Sequence, residues 1–331
     1  MKLLELTVEG FRGAPDGRYA FGRTGSAAPE DIVVLWGPQG CGKTSLLEAI
    51  VAVKEATGSY GPPLDPARLR RRGASSGFVQ ARWWLTGPER VRAGVTECTC
   101  SVRLDLGDGG TSEVPAGVRA LFETFRRSPE HGKCEYFPAS RSLPTGRGHV
   151  FSRPPRMDEA EAALRVAKPP DKYASVVDVL IDAALRGGLD VLDRLRERGI
   201  ALASAFDGLA PFRRALATLV STVQLDRVEH VDGSLELRFA HRSGASLRWD
   251  DLSEVERQAV LFATTFVDLG LVGSLVLIDT PELHVAPERQ RDWVGALAAL
   301  GPDNQLIVAS SSPVLRDGHH LVPIAPRGTQ R

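Results

Sequence analysis

A phosphate-binding loop near the start of the chain constrains its fold more than any other feature. Residues 37–45 read Gly-Pro-Gln-Gly-Cys-Gly-Lys-Thr-Ser, which fits the pattern G-x-x-x-x-G-K-[ST]. The apolar run Ile32–Trp36 precedes this loop and Leu46–Ile50 follows it, so the order is strand, glycine turn and helix. In that order the backbone N–H groups and the helix N-terminus converge on phosphate oxygens. We therefore predict a nucleotide phosphate site in an α/β fold.

The residues of the loop have separate expected roles. Lys43 is expected to neutralise the β- and γ-phosphates, and the Thr44 hydroxyl to ligate Mg²⁺. The alternative is a glycine-rich turn that matches by chance, which the flanking strand and helix argue against. The predicted nucleotide-binding residues are Gly37, Pro38, Gln39, Gly40, Cys41, Gly42, Lys43, Thr44 and Ser45.

A second acidic element completes the predicted site. A phosphate loop needs a carboxylate that holds Mg²⁺, normally at the end of a neighbouring apolar strand. Leu275–Ile278 is such a strand, and Asp279 follows it directly. We predict that Asp279 is the second metal ligand beside Thr44; the alternative is a turn residue before Pro281.

Composition indicates an ordinary globular chain without a general attraction for polyanions. The 331 residues are 43% hydrophobic and 25% charged, and the formal net charge is zero. Neither a secretory signal nor a segment of membrane-spanning length is found in the sequence, so we expect a cytoplasmic protein. A local cluster, Arg68 and Arg70–Arg72, is either a basic patch or a solvated helix end.

The four cysteines give no metal pattern. Cys41 lies in the phosphate loop, and no C-x-x-C pair is present. Cys98 and Cys100 are expected on one face of a strand, which favours packing over metal binding. Near the end of the chain, the pair His319-His320 is expected in a surface turn.

The hydrophobic pattern changes along the chain from strands to helices and back. A hairpin is predicted over the first residues, and further strands at Phe78–Leu85, Gly94–Leu106 and Cys134–Phe137. The period is helical from Met157 to about Val223. Then come a hairpin of the strands Leu235–Phe239 and Ser246–Trp249 and a helix from Ser253. Two buried strands, Leu275–Ile278 and Gln305–Ala309, follow and are separated by a helix.

Six segments occur in the order seen in ABC-type ATPases and resemble their motifs. The resemblance is closest to the SMC/RecF group, which includes the OLD ATPases and the short AAA family ATPases of bacterial defence operons. It covers most of the chain and is loosest in the helical block. The segments are Phe11-Arg12, the phosphate loop, Tyr136–Arg141, Leu252–Glu256, Ile278–His284 and Val308–Pro313.

The resemblance implies a P-loop NTPase of the ABC-ATPase head type, with an N-terminal antiparallel β-subdomain and a helical insertion. On this basis residues 1–150 would form the β-subdomain and the phosphate-loop lobe. Residues 151–225 would form the helical insertion, or lid. Residues 226–331 would supply the signature motif and the Walker B strand, completing the same head. The Pro-Glu-Leu-His sequence at 281–284 distinguishes the chain from transporter ATPases.

The family implies a head-to-tail dimer closed around ATP and Mg²⁺. In such a dimer Ser253, with Glu256, would act as the signature toward the partner's nucleotide, and Arg12 would contact the nucleotide of its own head. Ser253 and Glu256 also fit a helix capping box, and both interpretations can hold together. His284 is expected at the subunit interface. The partner would be a second copy or a related ATPase head.

Three departures weaken the expected chemistry. Thr280 stands where the family has a catalytic Glu, Val255 where it has the signature Gly, and Ser311 at the switch His position. Loss of a general base costs on the order of 10²–10⁴ in rate. We therefore expect ATP binding with slow or absent hydrolysis. The candidate catalytic residues are Asp279 and Glu282. A substitute base at Glu282 is the alternative to lost hydrolysis, but the family commonly has Glu at this position, so its presence alone does not indicate rescue.

Two functions are compatible with these motifs. The first is an ATP-gated dimerising head that acts on a separate effector, in DNA transactions or antiviral defence. We expect the effector to be a separate polypeptide, because the chain stops at Arg331 soon after the last predicted strand. Nucleic acid is a further candidate partner, and a membrane is not expected. The second function is an active DNA-repair-type ATPase. A transporter subunit is disfavoured.

Overall fold

The computed structural model describes residues 1–23, 28–57, 65–107, 112–127, 134–141, 147–148, 173–198 and 207–325. The described parts of Met1–Ser140 and Leu271–Arg331 form one compact unit. Those of Arg141–Ala160 and Pro170–Gly270 form a second. None of the described helices has the length and apolar character needed to cross a bilayer.

The first unit contains both strands and helices in each of its two sequence segments. Its strands are β1 (Lys2–Glu9), β2 (Gly17–Ala20), β3 (Ile32–Trp36), β4 (Phe78–Trp84), β5 (Thr99–Asp105), β6 (Ser112–Glu113), β7 (Cys134–Phe137), β12 (Leu275–Asp279), β13 (Gln305–Ser310) and β14 (His320–Pro323). Its helices are α1 (Lys43–Thr57), α2 (Gly87–Ala93), α3 (Ala116–Arg127) and α7 (Gln290–Ala299).

The second unit contains the remaining described elements. Its strands are β8 (Arg147–Gly148), β9 (Val223–Val231), β10 (Ser234–His241) and β11 (Ser246–Arg248). Its helices are α4 (Val176–Arg198), α5 (Ala210–Leu219) and α6 (Glu254–Asp268). Within this unit β10 pairs with β8, β9 and β11, and α6 packs against α4 and α5.

An antiparallel sheet forms the N-terminal part of the first unit, with strand order β2-β1-β4-β5-β6 among the described residues. Along β4, Val79, Ala81 and Trp83 are buried and alternate with more exposed residues. A register shift between Leu3 and Glu5 lets β1 keep its buried face across the irregularity. This sheet confirms the predicted antiparallel β-subdomain.

A parallel sheet carries the phosphate loop, with strand order β14-β3-β13-β12-β7. The side chains of β12 and β13 are buried along their whole length, as expected for strands covered on both faces. Only β13 lies between β3 and β12. Because the pairing is parallel, the residues after β3 and the end of β12 lie at the same edge of the sheet.

Several elements differ from the sequence-based predictions. The helices α2 and α3 and the strand β9 were not predicted. The expected surface turn at His319-His320 is wrong for His320, which begins β14 and pairs in parallel with Val33 of β3. The cluster at residues 68–72 is not a purely solvated helix end, because Arg71 is held by hydrogen bonds and a salt bridge.

The predicted helical insertion is described only in part. Helices are found at α4 and α5, where the helical period predicts them. The remaining predicted helical positions at 157–172 and 199–206 lie outside the described residues.

Candidate nucleotide-binding site

The phosphate loop joins the end of β3 to the start of α1, as the motif predicts. The Lys43 ammonium donates hydrogen bonds to the carbonyl oxygens of Gly37 and Pro38, both at 2.8 Å. These acceptors are neutral carbonyls, so the contacts do not cancel the positive charge. The charge of Lys43 is therefore available to attract phosphate oxygens at this loop.

Glycine is required at defined positions of the loop. Gly40 and Gly42 have φ values of +75° and +99°, which favour glycine because it lacks a Cβ atom. A Cβ on Gly42 would lie 2.3 Å from the Gly13 carbonyl oxygen. One on Gly37 would lie 2.4 Å from the Ile324 carbonyl oxygen. The loop thus has the tight backbone path of a phosphate cradle.

The two predicted metal ligands are in direct contact. Thr44 Oγ1 donates a hydrogen bond of 2.7 Å to Asp279 Oδ2, although the residues are 235 positions apart. Asp279 is only 4% exposed. A hydroxyl and a buried carboxylate side by side are hard oxygen ligands that suit Mg²⁺, which normally completes its shell with phosphate oxygens and water.

A magnesium ion held by Thr44, Asp279, phosphate oxygens and water does not require a cluster of three protein ligands. Among the described residues, no group of three or more His, Cys, Asp or Glu side chains is arranged to hold a metal ion. The oxygen atoms of Thr44 and Asp279 suit a metal whose other ligands are nucleotide phosphate oxygens and water.

Thr280 occupies the position after Asp279 in a strained backbone conformation. Its φ is +53°, which is rare for a β-branched residue. Its backbone N–H donates to the Ala309 carbonyl at 2.9 Å, and its hydroxyl lies 3.4 Å from Asp279 Oδ1. A hydroxyl here can hold a water molecule by hydrogen bonding, but it has no basic group to accept a proton.

Glu282 is a carboxylate close to the same strand ends. Its Oε1 accepts a hydrogen bond of 2.5 Å from the Ser310 hydroxyl, and the Ser310 oxygen accepts one from the Ser312 N–H at 2.9 Å. Its Oε2 is buried and has no hydrogen-bond partner among the described residues. One oxygen of Glu282 therefore keeps its capacity to accept a hydrogen bond.

Arg12 lies on a loop beside the phosphate-loop helix rather than on the phosphate loop itself. Its guanidinium forms a salt bridge of 3.0 Å with Glu48 of α1, and its φ is +28°. Arg12 is thus anchored next to the first turns of the helix that follows the phosphate loop. Its predicted contact with nucleotide remains a prediction.

Solved structures with a similar fold cover almost the whole chain. An SMC head bound to the C-terminal winged-helix domain of ScpA has a TM-score of 0.56 and 14% identity, covering 99% of this chain and 95% of that one. An SMC head with an extended coiled coil, bound to the ScpA C-terminal domain derived from Pyrococcus furiosus, gives 0.53 and 12%, with coverages of 98% and 94%. The recombination mediator RecF with ATPrS gives 0.52 and 11%, with coverages of 98% and 96%.

The chain has the fold of an SMC/RecF-like ABC ATPase head. No protein-family model matches the sequence of this head, and no curated protein matches it either. At these low identities the similarity lies in the fold, which confirms the fold that the six segments predict.

Ser253, the predicted signature residue, is the N-terminal cap of α6 in the second unit. The Ser253 hydroxyl accepts from the Glu256 N–H, and the Glu256 carboxylate accepts from the Ser253 N–H at 2.9 Å, which is a complete capping box. Burial alone would raise the pKa of Glu256. Hydrogen bonds from Thr222 and Ser253 outweigh it, so the pKa lies below its ordinary value. The capping interpretation is confirmed, and the signature role remains a prediction.

The other predicted residues differ in burial: Ser311 and His284 are exposed, whereas Cys41 is buried. Ser311 is exposed at the end of β13, between the hydrogen-bonded Ser310 and Ser312. His284 is exposed with a φ of +66°. The Cys41 thiol is buried, 3.8 Å from the Lys43 ammonium. Val255 lies in the first turn of α6.

Three residues near the nucleotide site were not predicted from the sequence. Ser310 contacts Glu282, Glu48 holds Arg12, and Arg71 binds the loop that carries Arg12. The serine run at 310–312 was the only signal for the first of these. Glu48 and Arg71 are separated from Arg12 by 36 and 59 positions, so only the fold reveals these contacts.

Proposed function

We propose that this chain is an ATP-binding head that dimerises around ATP and Mg²⁺ and thereby gates a separate partner, with slow or absent hydrolysis. The observation that carries the proposal is the contact between Thr44 and Asp279 beside the glycine loop. It pairs the two expected metal ligands, while Thr280 supplies no proton acceptor at the adjacent position. Binding and closure would then be separated from bond cleavage.

Each residue has a defined part in this function. The loop N–H groups and Lys43 would hold the phosphates, and Thr44 with Asp279 would hold Mg²⁺. The bound metal would neutralise phosphate charge. Ser253, at the N-terminus of α6, would face the nucleotide of a second head, where a helix end favours an anion.

The kinds of partner are proposed from the relatives. Two of the similar SMC heads are bound to ScpA domains, and RecF is described as a recombination mediator. By analogy we propose that the dimer acts on an effector protein, or on nucleic acid, in DNA transactions or antiviral defence. The second head would be another copy or a related ATPase.

Calorimetry and sedimentation test this function in two steps. Titration with ATP and Mg²⁺ should show uptake by the wild-type chain and loss of uptake in Lys43→Ala. Sedimentation should then show ATP-dependent association, alone or with a related head. Arg68→Ala is the control, because the Arg68 side chain is 85% exposed and its salt bridge joins it to the nearby Asp65. Absence of nucleotide uptake by the wild-type chain would refute the proposal.

A second candidate is an active ATPase of the DNA-repair type. The free Oε2 of Glu282 favours it, since a carboxylate with spare acceptor capacity could replace the missing base. This function predicts phosphate release at about 1 s⁻¹, within the usual enzyme range. The rate should fall in both Asp279→Ala and Glu282→Gln. Release at the background rate in the wild type would exclude it.

A further inference from the structure

Arg71 directs its guanidinium at a single loop, residues 10–16. The two terminal nitrogens contact the Asp16 carboxylate at 2.9 and 2.8 Å. One of them also donates to the Ala14 carbonyl at 2.7 Å, and Nε donates to the Arg12 carbonyl at 3.2 Å. The Arg71 backbone N–H donates to the Gly10 carbonyl at 2.7 Å. Arg71 thus fixes this loop from its first residue to its last.

The same loop meets the nucleotide site at two places. Its Gly13 and Pro15 lie against Gly42, so closely that a Cβ there would be 2.3 Å from the Gly13 oxygen and 2.8 Å from Pro15 Cδ. Its Arg12 reaches Glu48 of α1. The loop therefore supports the phosphate loop from outside and also orients a guanidinium beside it.

The loop needs such an external support. Arg12 has a positive φ of +28°, a conformation that costs free energy for a residue other than glycine and persists only where surrounding contacts impose it. A bidentate arginine–carboxylate pair with two added carbonyl contacts gives that constraint, because the planar fork leaves little freedom. The described contacts from Arg71 act on the backbone on both sides of Arg12.

We propose that Arg71 is a positioning residue of the nucleotide site, which holds residues 10–16 so that Gly13 and Pro15 support Gly42 and Arg12 stays oriented. This inference rests on the proposed function, because it assumes that ATP binds at the phosphate loop. Arg71 acts through its neighbours and is not expected to touch the nucleotide.

A double-mutant cycle on ATP affinity tests the inference. Arg71→Ala should raise the Kd for ATP with Mg²⁺ about tenfold, the scale of lost supporting contacts at a binding site. The pair Arg71→Ala with Arg12→Ala should raise it by less than the product of the single effects, because the two changes share one loop. Arg72→Ala, the exposed neighbour, should leave the Kd unchanged. An unchanged Kd in Arg71→Ala, or a fully multiplicative double variant, would overturn the proposal.

A second variant keeps the test decisive if Arg71→Ala does not fold. Asp16→Asn removes the charged pair and leaves the carbonyl contacts of Arg71, so it should raise the Kd by a smaller factor. Wild-type affinity in a folded Asp16→Asn variant would then overturn the inference. A wild-type chain that takes up no nucleotide would instead overturn the proposed function, and this inference with it.

Discussion

Thr280 combines two properties that matter at the scale of the single residue. It replaces the Glu expected after Asp279, and it holds a left-handed backbone conformation with a φ of +53°. Such conformations cost on the order of 1–3 kcal/mol and are maintained by neighbouring contacts. The hydrogen bond from the Thr280 N–H to Ala309 is one such contact. The backbone at this position is thus set by the fold, and the side chain decides the chemistry.

Restoring the missing carboxylate should restore hydrolysis. Thr280→Glu is expected to raise the rate of phosphate release by about 10²-fold, the lower end of what a general base contributes. A Gln side chain is nearly the same size as Glu but cannot accept the proton, so the Thr280→Gln variant should release phosphate at the wild-type rate. Steady-state phosphate assays compare the three chains. Equal rates in the Glu and Gln variants would contradict the assigned role of this position.

Alanine substitutions at two glycines of the phosphate loop distinguish the cost of backbone strain from the cost of a steric clash. Gly40→Ala introduces a methyl group at positive φ with nothing within 4 Å, whereas in Gly42→Ala the methyl group also meets Gly13. We expect Gly42→Ala to lower the free energy of unfolding by about 1–3 kcal/mol more than Gly40→Ala does. Urea denaturation measures the difference. Equal losses would show that the loop at 13–15 yields without cost.

At the scale of the element, the helices α2 and α6 both begin with a capping box. Thr86 with Glu89 caps α2 in the first unit, and Ser253 with Glu256 caps α6 in the second. Alanine at either cap should cost about 1 kcal/mol of stability. Only Ser253→Ala should also abolish ATP-dependent association, as sedimentation would show. Loss of association in both variants would assign the effect to stability alone.

The cap of α6 should also make stability depend on pH. Burial would raise the pKa of Glu256, but the hydrogen bonds from Thr222 and Ser253 and the attraction of His241 together outweigh it and lower that pKa in the folded state. Its contribution is therefore fully present above the ordinary carboxyl pKa and is lost as the pH falls through the lowered value. Urea unfolding at several pH values should show the wild-type advantage over Glu256→Gln shrinking in that range. An advantage that does not change with pH would contradict this.

Elements with an uninterrupted hydrophobic pattern could be predicted from the sequence. Elements that depend on pairing with a distant strand could not. The apolar runs of β12 and β13 identify buried strands directly, and the phosphate loop and Asp279 follow from local order. The strand β9 was missed because its pairing with β10 shifts register near Phe239, which breaks the alternation. The strand β14 has only four residues and ends in Pro323. Contacts such as that of Glu282 with Ser310 depend on strands meeting in space.

At the scale of the whole molecule, ligand binding should raise the free energy of unfolding. A ligand that binds only the folded chain adds about 2.7 kcal/mol at a concentration of 100 Kd. ATP with Mg²⁺ should therefore raise the melting temperature, and chelation of Mg²⁺ should remove part of the increase. Asp279→Asn should lose that metal-dependent part, whereas the exposed Asp292→Asn should keep it. Calorimetric melting provides the measurement, and a metal-independent shift in the wild type would refute the role of Asp279.

The parallel sheet has a consequence for synthesis of the chain. The strand β3 pairs only with β13 and β14 among the described residues, and Thr44 meets Asp279 across 235 positions. A ribosome adding about 5–20 residues per second would expose the apolar β3 for roughly 10–50 s before its neighbours exist. Throughout that interval the nascent polypeptide carries an unpaired apolar segment that can aggregate. A chaperone that covers this segment should therefore raise the yield of folded protein.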